Sequence, residues 1–171
     1  MLYLKEANYE DMDKEYLFVR DMPIDENGLL NEWNGVSRDI FEEKALKQMI
    51  DFSKGENLPE GFVPETFLFL WNDETIVGQF RIRHYLCESL REGAGHIGYF
   101  IGKEFRGKGY GTEGLRLTLQ KAKKIIPEDE IYLRVDKYNL PSLHVMLNNG
   151  GVIHHEDDVK YYVRIRKDAN M

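Results

Sequence analysis

Gly95-His96-Ile97-Gly98-Tyr99-Phe100-Ile101-Gly102-Lys103-Glu104-Phe105-Arg106-Gly107-Lys108-Gly109-Tyr110-Gly111-Thr112-Glu113 is the stretch whose reading decides the fold. It reads as a buried strand over residues 95–101, a short turn, a glycine-rich loop and the first turn of a helix. Glycines at 107, 109 and 111 remove every other Cβ, so the backbone can curl and aim consecutive N–H groups at one point. The helix that follows adds its unpaired N-terminal N–H groups and the positive end of its dipole. Together these form a seat for a phosphate or pyrophosphate, with Arg106 and Lys108 placing full charge at its rim. The spacing is not Gly-x-x-x-x-Gly-Lys-Ser/Thr, which argues against a P-loop nucleotide hydrolase. Nor is it Gly-x-Gly-x-x-Gly on a first strand.

Outward from that stretch, the best-supported helix runs from about Tyr110 to Ile126. Leu115, Leu119, Ala122 and Ile126 fall on one stripe, lysines load the C-terminal end, and Pro127 stops it. Ile131 to Val135 reads as a strand. Asn139 can cap a short helix with Pro141 in its first turn, ending at Gly150-Gly151. Residues 152–155 and 159–165 flank Asp157-Asp158 and read as a terminal hairpin. Upstream, Thr66 to Trp71 and Thr75 to His84 read as strands joined by a turn at 72–74. In the second of these Gln79, Arg81 and Arg83 alternate with Phe80 and Ile82, which predicts one wet face. Leu86 to Glu92 is a short helix or loop. At the start, Leu2 to Ala7 is a strand and Asp11 to Asp21 a helix. Met22 to Arg38, with Pro23, Gly28, Asn34 and Gly35, reads as a loop long enough to suggest function. A further helix spans about Asp39 to Phe52. This order predicts an α/β sandwich, α+β in character, built on a mixed, largely antiparallel sheet.

The 171 residues are 42% hydrophobic, which suits one domain (residues 1–171) with a sizeable core. A formal net charge of -7 argues against a nucleic-acid-binding surface. The charge is uneven: residues 1–65 carry 16 acidic and 7 basic side chains, residues 66–171 carry 14 and 16. The first part would attract a cationic partner, unless its acids are merely solvated; the second tolerates an anionic one. A single cysteine, Cys87, excludes an internal disulfide and a cysteine-based zinc site and fits a reducing cytoplasm. No metal is expected. The first residues lack a basic region followed by an apolar run, and no stretch approaches the ~20 apolar residues of a membrane span. A cytoplasmic location without membrane attachment is the expectation.

Arg106-Gly107-Lys108-Gly109-Tyr110-Gly111, directly after an apolar strand, resembles the acetyl-CoA loop of the GNAT superfamily of N-acetyltransferases. The segment Ile131 to Ser142, with Asn139-Leu140-Pro141-Ser142 and then Asn149-Gly150-Gly151, is similar to that superfamily's strand, Asn-x-x-Ser helix start and Leu-Gly-Phe end. Arg83-His84-Tyr85-Leu86 and Gly95 to Tyr99 look like a bacterial branch of predicted acetyltransferases without assigned substrate. The resemblance covers residues 66–165, and residues 1–65 by general layout. It implies a six- to seven-stranded mixed sheet with helices on both faces. Residues 66–171 would be the acetyl-CoA-binding core and residues 1–65 the acceptor side. It further implies acetyl-CoA as co-substrate, with the backbone of Tyr99, Phe100 and Ile101 pairing with the pantetheine amides and one N–H polarising the thioester carbonyl. The amides of Gly107, Lys108, Gly109, Tyr110, Gly111 and Thr112, beside Arg106, would hold the pyrophosphate. Asn139 and Ser142 would meet the pantetheine or the departing sulfur. At the position where many members place a proton-donating tyrosine stands Met146, which cannot donate a proton; Tyr138 or a water could substitute.

Acetyl transfer to an amine of pKa about 10.4 needs a base. His96 is the candidate, its ordinary pKa of about 6.5 suiting the task; the alternative is a buried histidine organising the strand. Glu113 reads as a dipole partner of its helix rather than a base. Glu32 could line the acceptor site. Arg83 and His84 could hold an acceptor carboxylate or form a structural ion pair. His154 and His155, adjacent on a strand, face opposite sides and make poor joint metal ligands. The expected reaction is direct attack by a small-molecule amine or a peptide N-terminus, without an acyl-enzyme. The acidic N-terminal region mildly favours a cationic acceptor, and the terminal hairpin could make a homodimer. A non-catalytic acyl-CoA-binding module and a nucleotide-binding phosphotransferase are the rival readings; the missing Walker-type lysine opposes the latter.

Overall fold

The computed structural model describes residues 1–168. Strands β1 (Leu2–Glu6), β4 (Glu65–Asn72), β5 (Thr75–Arg83) and β6 (Ile97–Ile101) form a four-stranded antiparallel sheet in the order β1-β4-β5-β6. Strands β7 (Glu130–Asp136), β8 (Val152–Glu156) and β9 (Lys160–Arg166) form a three-stranded antiparallel sheet in the order β7-β9-β8. The expected single six- to seven-stranded mixed sheet is therefore two sheets, and every ladder in them is antiparallel. The sheets meet where the His96 N–H donates to the Tyr132 carbonyl at 2.7 Å and the Tyr132 N–H donates to His96 Nδ1 at 2.9 Å.

β4 is buried from Thr66 to Trp71, so its side chains feed two cores, one on each face. Leu68, Leu70, Phe80 and Ile82 pack with the stripe Leu115, Leu119 and Ala122 of helix α5 (Tyr110–Ile125). Each of these leucine, isoleucine and phenylalanine side chains, fully buried, contributes roughly 1.5–3 kcal/mol. The helix comes close because residue 114 is glycine: a Cβ there would stand 2.6 Å from the Phe80 ring. On the other face Phe67, Phe69 and Trp71 pack with helix α1 (Met12–Asp21) and a composite helix. That helix, expected to be uniform, has short α pieces α2 (Arg38–Ile40) and α3 (Lys47–Ser53) around a wide π segment Phe41–Leu46. The Ser37 hydroxyl caps it, accepting from the Ile40 N–H at 3.3 Å.

The expected wet face of β5 is covered. Gln79 is 1% exposed and Arg81 donates to the Leu30 carbonyl at 3.2 Å, because the segment between α1 and α2 folds across that face. The segment also contains a small hairpin, β2 (Asp25–Glu26) and β3 (Leu29–Leu30), turned at Asn27 and Gly28 with φ of 55° and 86°. Those two positive φ values are what a two-residue hairpin turn matching strand twist requires. Buried Asn31 anchors it, its side-chain amide donating to the carbonyls of Val19 and Met22 at 2.8 and 3.0 Å.

The remaining elements are α4 (Glu88–Arg91) and α6 (Leu140–Asn148). No helix among the described residues is long and apolar enough to cross a membrane.

Candidate active site

Beyond their meeting point β6 and β7 diverge, and a cleft of about 500 Å³ opens between them. The register of β5 against β6 decides which part of β6 faces it. The Arg83 N–H donates to the His96 carbonyl and the Gly102 N–H to the Val77 carbonyl, at 2.7 and 2.8 Å. Alternation along the ladder then makes Arg81–Gly98 and Gln79–Phe100 the hydrogen-bonded pairs. The N–H and C=O groups of Tyr99 and Ile101 point the other way, into the cleft. Phe100, expected to share in that edge, spends its backbone on β5. The Ile101 carbonyl already accepts from Arg106 Nε at 3.0 Å.

The glycine loop closes one end. Gly107 and Gly109 have φ of 77° and 82°, and a Cβ at either would meet nothing within 4 Å. Backbone conformation, not crowding, requires glycine there. Gly109 caps α5 without a side-chain hydrogen bond, so the first N–H groups of that helix are left uncapped by any side chain. Gly111 answers to packing instead, its Cβ position lying 3.2 Å from Val145 Cγ2 of α6. Lys108 is exposed and lies outside the cleft lining. Arg106 is not free at the rim: its guanidinium pairs with Glu26 of the small hairpin at 2.5 Å.

Helix α6 forms the opposite wall. Asn139 caps it, its Oδ1 accepting from the Ser142 N–H at 3.4 Å. The Tyr99 phenol spans the gap, donating to the Ser142 carbonyl at 3.1 Å and lying 2.6 Å from the Ser142 hydroxyl oxygen. Burial pushes the phenol above its ordinary pKa, against the opposing hydrogen bond from Ser142. Met146 also lines the cleft. Tyr138, considered as its substitute, is 71% exposed and not part of the lining. Glu113 is held by Arg116 at 2.5 Å in the first turns of α5.

His96 is not in the cleft lining. It is fully buried with both ring nitrogens engaged: Nδ1 accepts from the Tyr132 N–H, which fixes the proton on Nε2, 2.8 Å from a Glu128 carboxylate oxygen. Burial lowers its pKa, against the raising pull of Glu128. The ring is thus neutral and fastens the two sheets, the alternative role weighed for it above. Since the native value lies below the ordinary ~6.5, this stabilisation is complete above pH ~6.5 and falls as pH drops from there to the native value. His96→Gln, which cannot repeat both bonds, should lose several degrees of melting temperature at pH 7.5. Its gap to the parent should narrow at pH 5. A gap that stays constant with pH would contradict the neutral-ring account.

The sequence missed Glu26, Arg134, Asp136 and Lys160, all in the cleft lining. Asp136 and Lys160 form an ion pair. The alternation Leu133-Arg134-Val135-Asp136 was the available signal, since it turns 134 and 136 to the face opposite the core.

A model of the family "Acetyltransferase (GNAT) domain" matches residues 8–152. The chain belongs to the GNAT acetyltransferase family. No curated protein matches it. Among solved structures it is similar to the ribosomal-protein-S5-alanine acetyltransferase from Vibrio fischeri, with 17% identity, TM-score 0.70, and 98% of this chain and 93% of that one covered. It is also similar to a putative acetyltransferase from Salmonella typhimurium with its cofactor acetyl-CoA, at 9% identity, TM-score 0.67, and 100% and 96% coverage. A third is spermidine N-acetyltransferase from Vibrio cholerae in complex with CoA and spermine, at 16% identity, TM-score 0.61, and 97% and 95% coverage. At these identities the likeness is one of fold. Among the described residues no group of three or more His, Cys, Asp or Glu is placed to hold a metal ion.

Proposed function

We propose that this protein is an acetyl-CoA-dependent N-acetyltransferase acting by direct attack of an acceptor amine. One observation carries the reading: an unpaired strand edge at Tyr99 and Ile101 shares a cleft with a glycine loop and an uncapped helix start. The residues fit the coenzyme on that ground, since the loop offers free N–H groups and open space where Cβ atoms would stand. Residues 66–171 would bind it, and residues 1–65 would cover the acceptor side, all in one domain.

Bound acetyl-CoA supplies an acyl group activated as a thioester. The amides of Gly107 to Thr112 hold the pyrophosphate, and the peptide groups of Tyr99 and Ile101 pair with the pantetheine as an added strand would. The Tyr99 N–H polarises the thioester carbonyl, and much of the rate comes from positioning. With Met146 unable to give a proton, the Tyr99 phenol, joined to Ser142, would be the proton donor to the departing sulfur, and water carrying the amine proton would restore it. His96 takes no part in proton transfer. The carboxylates facing the cleft, Glu26 and Asp136, are held by Arg106 and Lys160, so the amine proton leaves to water.

The test is free-thiol release from acetyl-CoA across an amine library that includes peptides, with calorimetry of acetyl-CoA binding alongside. Tyr99→Phe should keep acetyl-CoA affinity and lose roughly 100- to 10,000-fold in kcat, as expected for a general acid. Binding without turnover on any amine would favour a non-catalytic acyl-CoA module. Absence of binding would overturn the proposal.

A further inference from the structure

We propose that the acceptor carries, besides its amine, an anionic group of carboxylate or phosphate type, held by Arg83 and Arg134 where the two sheets meet. This rests on the acetyl-transfer reading above and names the acceptor class for the same cleft.

The charges lining the cleft are Arg83, Arg106, Arg134 and Lys160 against Glu26 and Asp136. Four of them cancel in pairs, Glu26 with Arg106 and Asp136 with Lys160. Arg134 remains, and Arg83 has only a long ion pair with Glu65, which lies outside the cleft lining. Both arginines border the turn that leads into β6. Arg83 Nη1 donates to the Gly95 carbonyl at 3.2 Å, and Arg134 Nη1 lies 3.7 Å from the Cβ position of Gly93. Between them Ala94 lines the same end of the cleft.

Neither guanidinium is closely met by a carboxylate. The Arg83 Nε stands 4.0 Å from Glu65 Oε1, beyond hydrogen-bond reach, and that oxygen is itself buried without a partner. Arg134 lies near the phenol of Tyr162, which donates to Asp157 at 2.9 Å. Further arginines surround this end. Arg164 stacks 3.5 Å over the Tyr132 ring and Arg91 lies 6.0 Å from it. Glu128, the other nearby acid, is engaged by His96. Guanidinium forks in a recess bordered by low-dielectric walls are suited to planar or tetrahedral oxyanions.

The acidic N-terminal region does not offset this. Of the acids in residues 1–65, Glu26 alone lines the cleft, and it is spent on Arg106. Glu10, Asp13, Glu42, Glu43 and Glu60 are exposed. A cationic acceptor, the expectation drawn from that charge, would find no unpaired carboxylate in the cleft.

The experiment measures acetyl transfer to matched acceptors: amino acids against their uncharged amides, aminoalkyl phosphates against aminoalkyl alcohols, and spermidine. Acid-bearing acceptors should exceed their uncharged partners in kcat/KM by about 10- to 100-fold, as a charged hydrogen bond of roughly 1.5–3 kcal/mol would give. Which of the two acids leads identifies the source of the anion. Arg134→Gln should collapse the ratio, and Arg134→Glu should invert it towards spermidine, with acetyl-CoA affinity by calorimetry unaltered in both. Arg83→Lys, which keeps the charge and guards against a folding defect, should retain a preference for acid-bearing acceptors. A preference for spermidine in the parent protein, or a ratio untouched by Arg134→Gln, would overturn the proposal while leaving acetyl transfer intact. If acetyl-CoA binds but no amine turns over, calorimetry with the acid-bearing amines decides, and equal binding of their uncharged partners counts against it. Failure to bind acetyl-CoA strikes the underlying reading as well.

Discussion

Gly95→Ala is expected to lower the melting temperature by roughly 10 °C, the largest stability loss among single glycine substitutions in this chain. Two costs add. At φ of 72° a side chain sits in the left-handed region, which costs an L-residue about 1–2 kcal/mol. The new Cβ would also run into the backbone carbonyl of Tyr132, at the seam where the two sheets are fastened. A carbonyl cannot swing aside as a side-chain tip can, so β7 or the turn must move and the His96–Tyr132 bonds with it. Together about 3–5 kcal/mol is at stake, and 1 kcal/mol shifts the melting temperature of a domain this size by about 2–4 °C. Gly35→Ala is the control, with φ of 73° and nothing within 4 Å of its Cβ position. It bears the conformational cost alone and should lose only a few degrees. Equal losses at 95 and 35 in thermal melts would mean the seam tolerates displacement.

Gly109→Val should leave the melting temperature of the ligand-free protein within a few degrees of the parent while weakening acetyl-CoA binding at least about 30-fold. A β-branched residue at φ of 82° is a backbone outlier, so the loop will flip to a conformation the valine accepts. Space permits the flip, since no atom lies within 4 Å of the Cβ position. The flip turns the N–H groups away from their common focus, and each charge-assisted bond lost weakens binding by about 1.5–3 kcal/mol. Calorimetric titration reads the effect directly. Unchanged affinity would show that the pyrophosphate lies elsewhere.

Much of this site could be read from residues alone because its logic is local. Alternate glycines after an apolar strand announce the loop, and Asn139 with Pro141 announces the α6 cap that the Ser142 N–H completes. Where partners come from distant segments, local pattern fails. His96 looked available for chemistry because nothing near it in sequence reveals Tyr132 and Glu128, 36 and 32 residues away. Gln79 and Arg81 alternate as a solvated face would, yet residues 22–38 lie over them. That segment held its own clue in Asn27-Gly28, obscured because the paired strands are two residues each. Hydropathy also cannot tell strands that pair from strands that merely approach, so β6 and β7 merged into one sheet on paper. Glu26, Arg134, Asp136 and Lys160 belong to the site only because that separation exists.

An unpaired strand edge normally invites a second chain to add to it, the first step towards aggregation. Here the vacant edge of β6 lies at the floor of a cleft walled by α6 and the small hairpin, where a slender linear molecule can lie but a broad sheet margin cannot. The recess thus doubles as a guard, barring another chain from the open backbone groups.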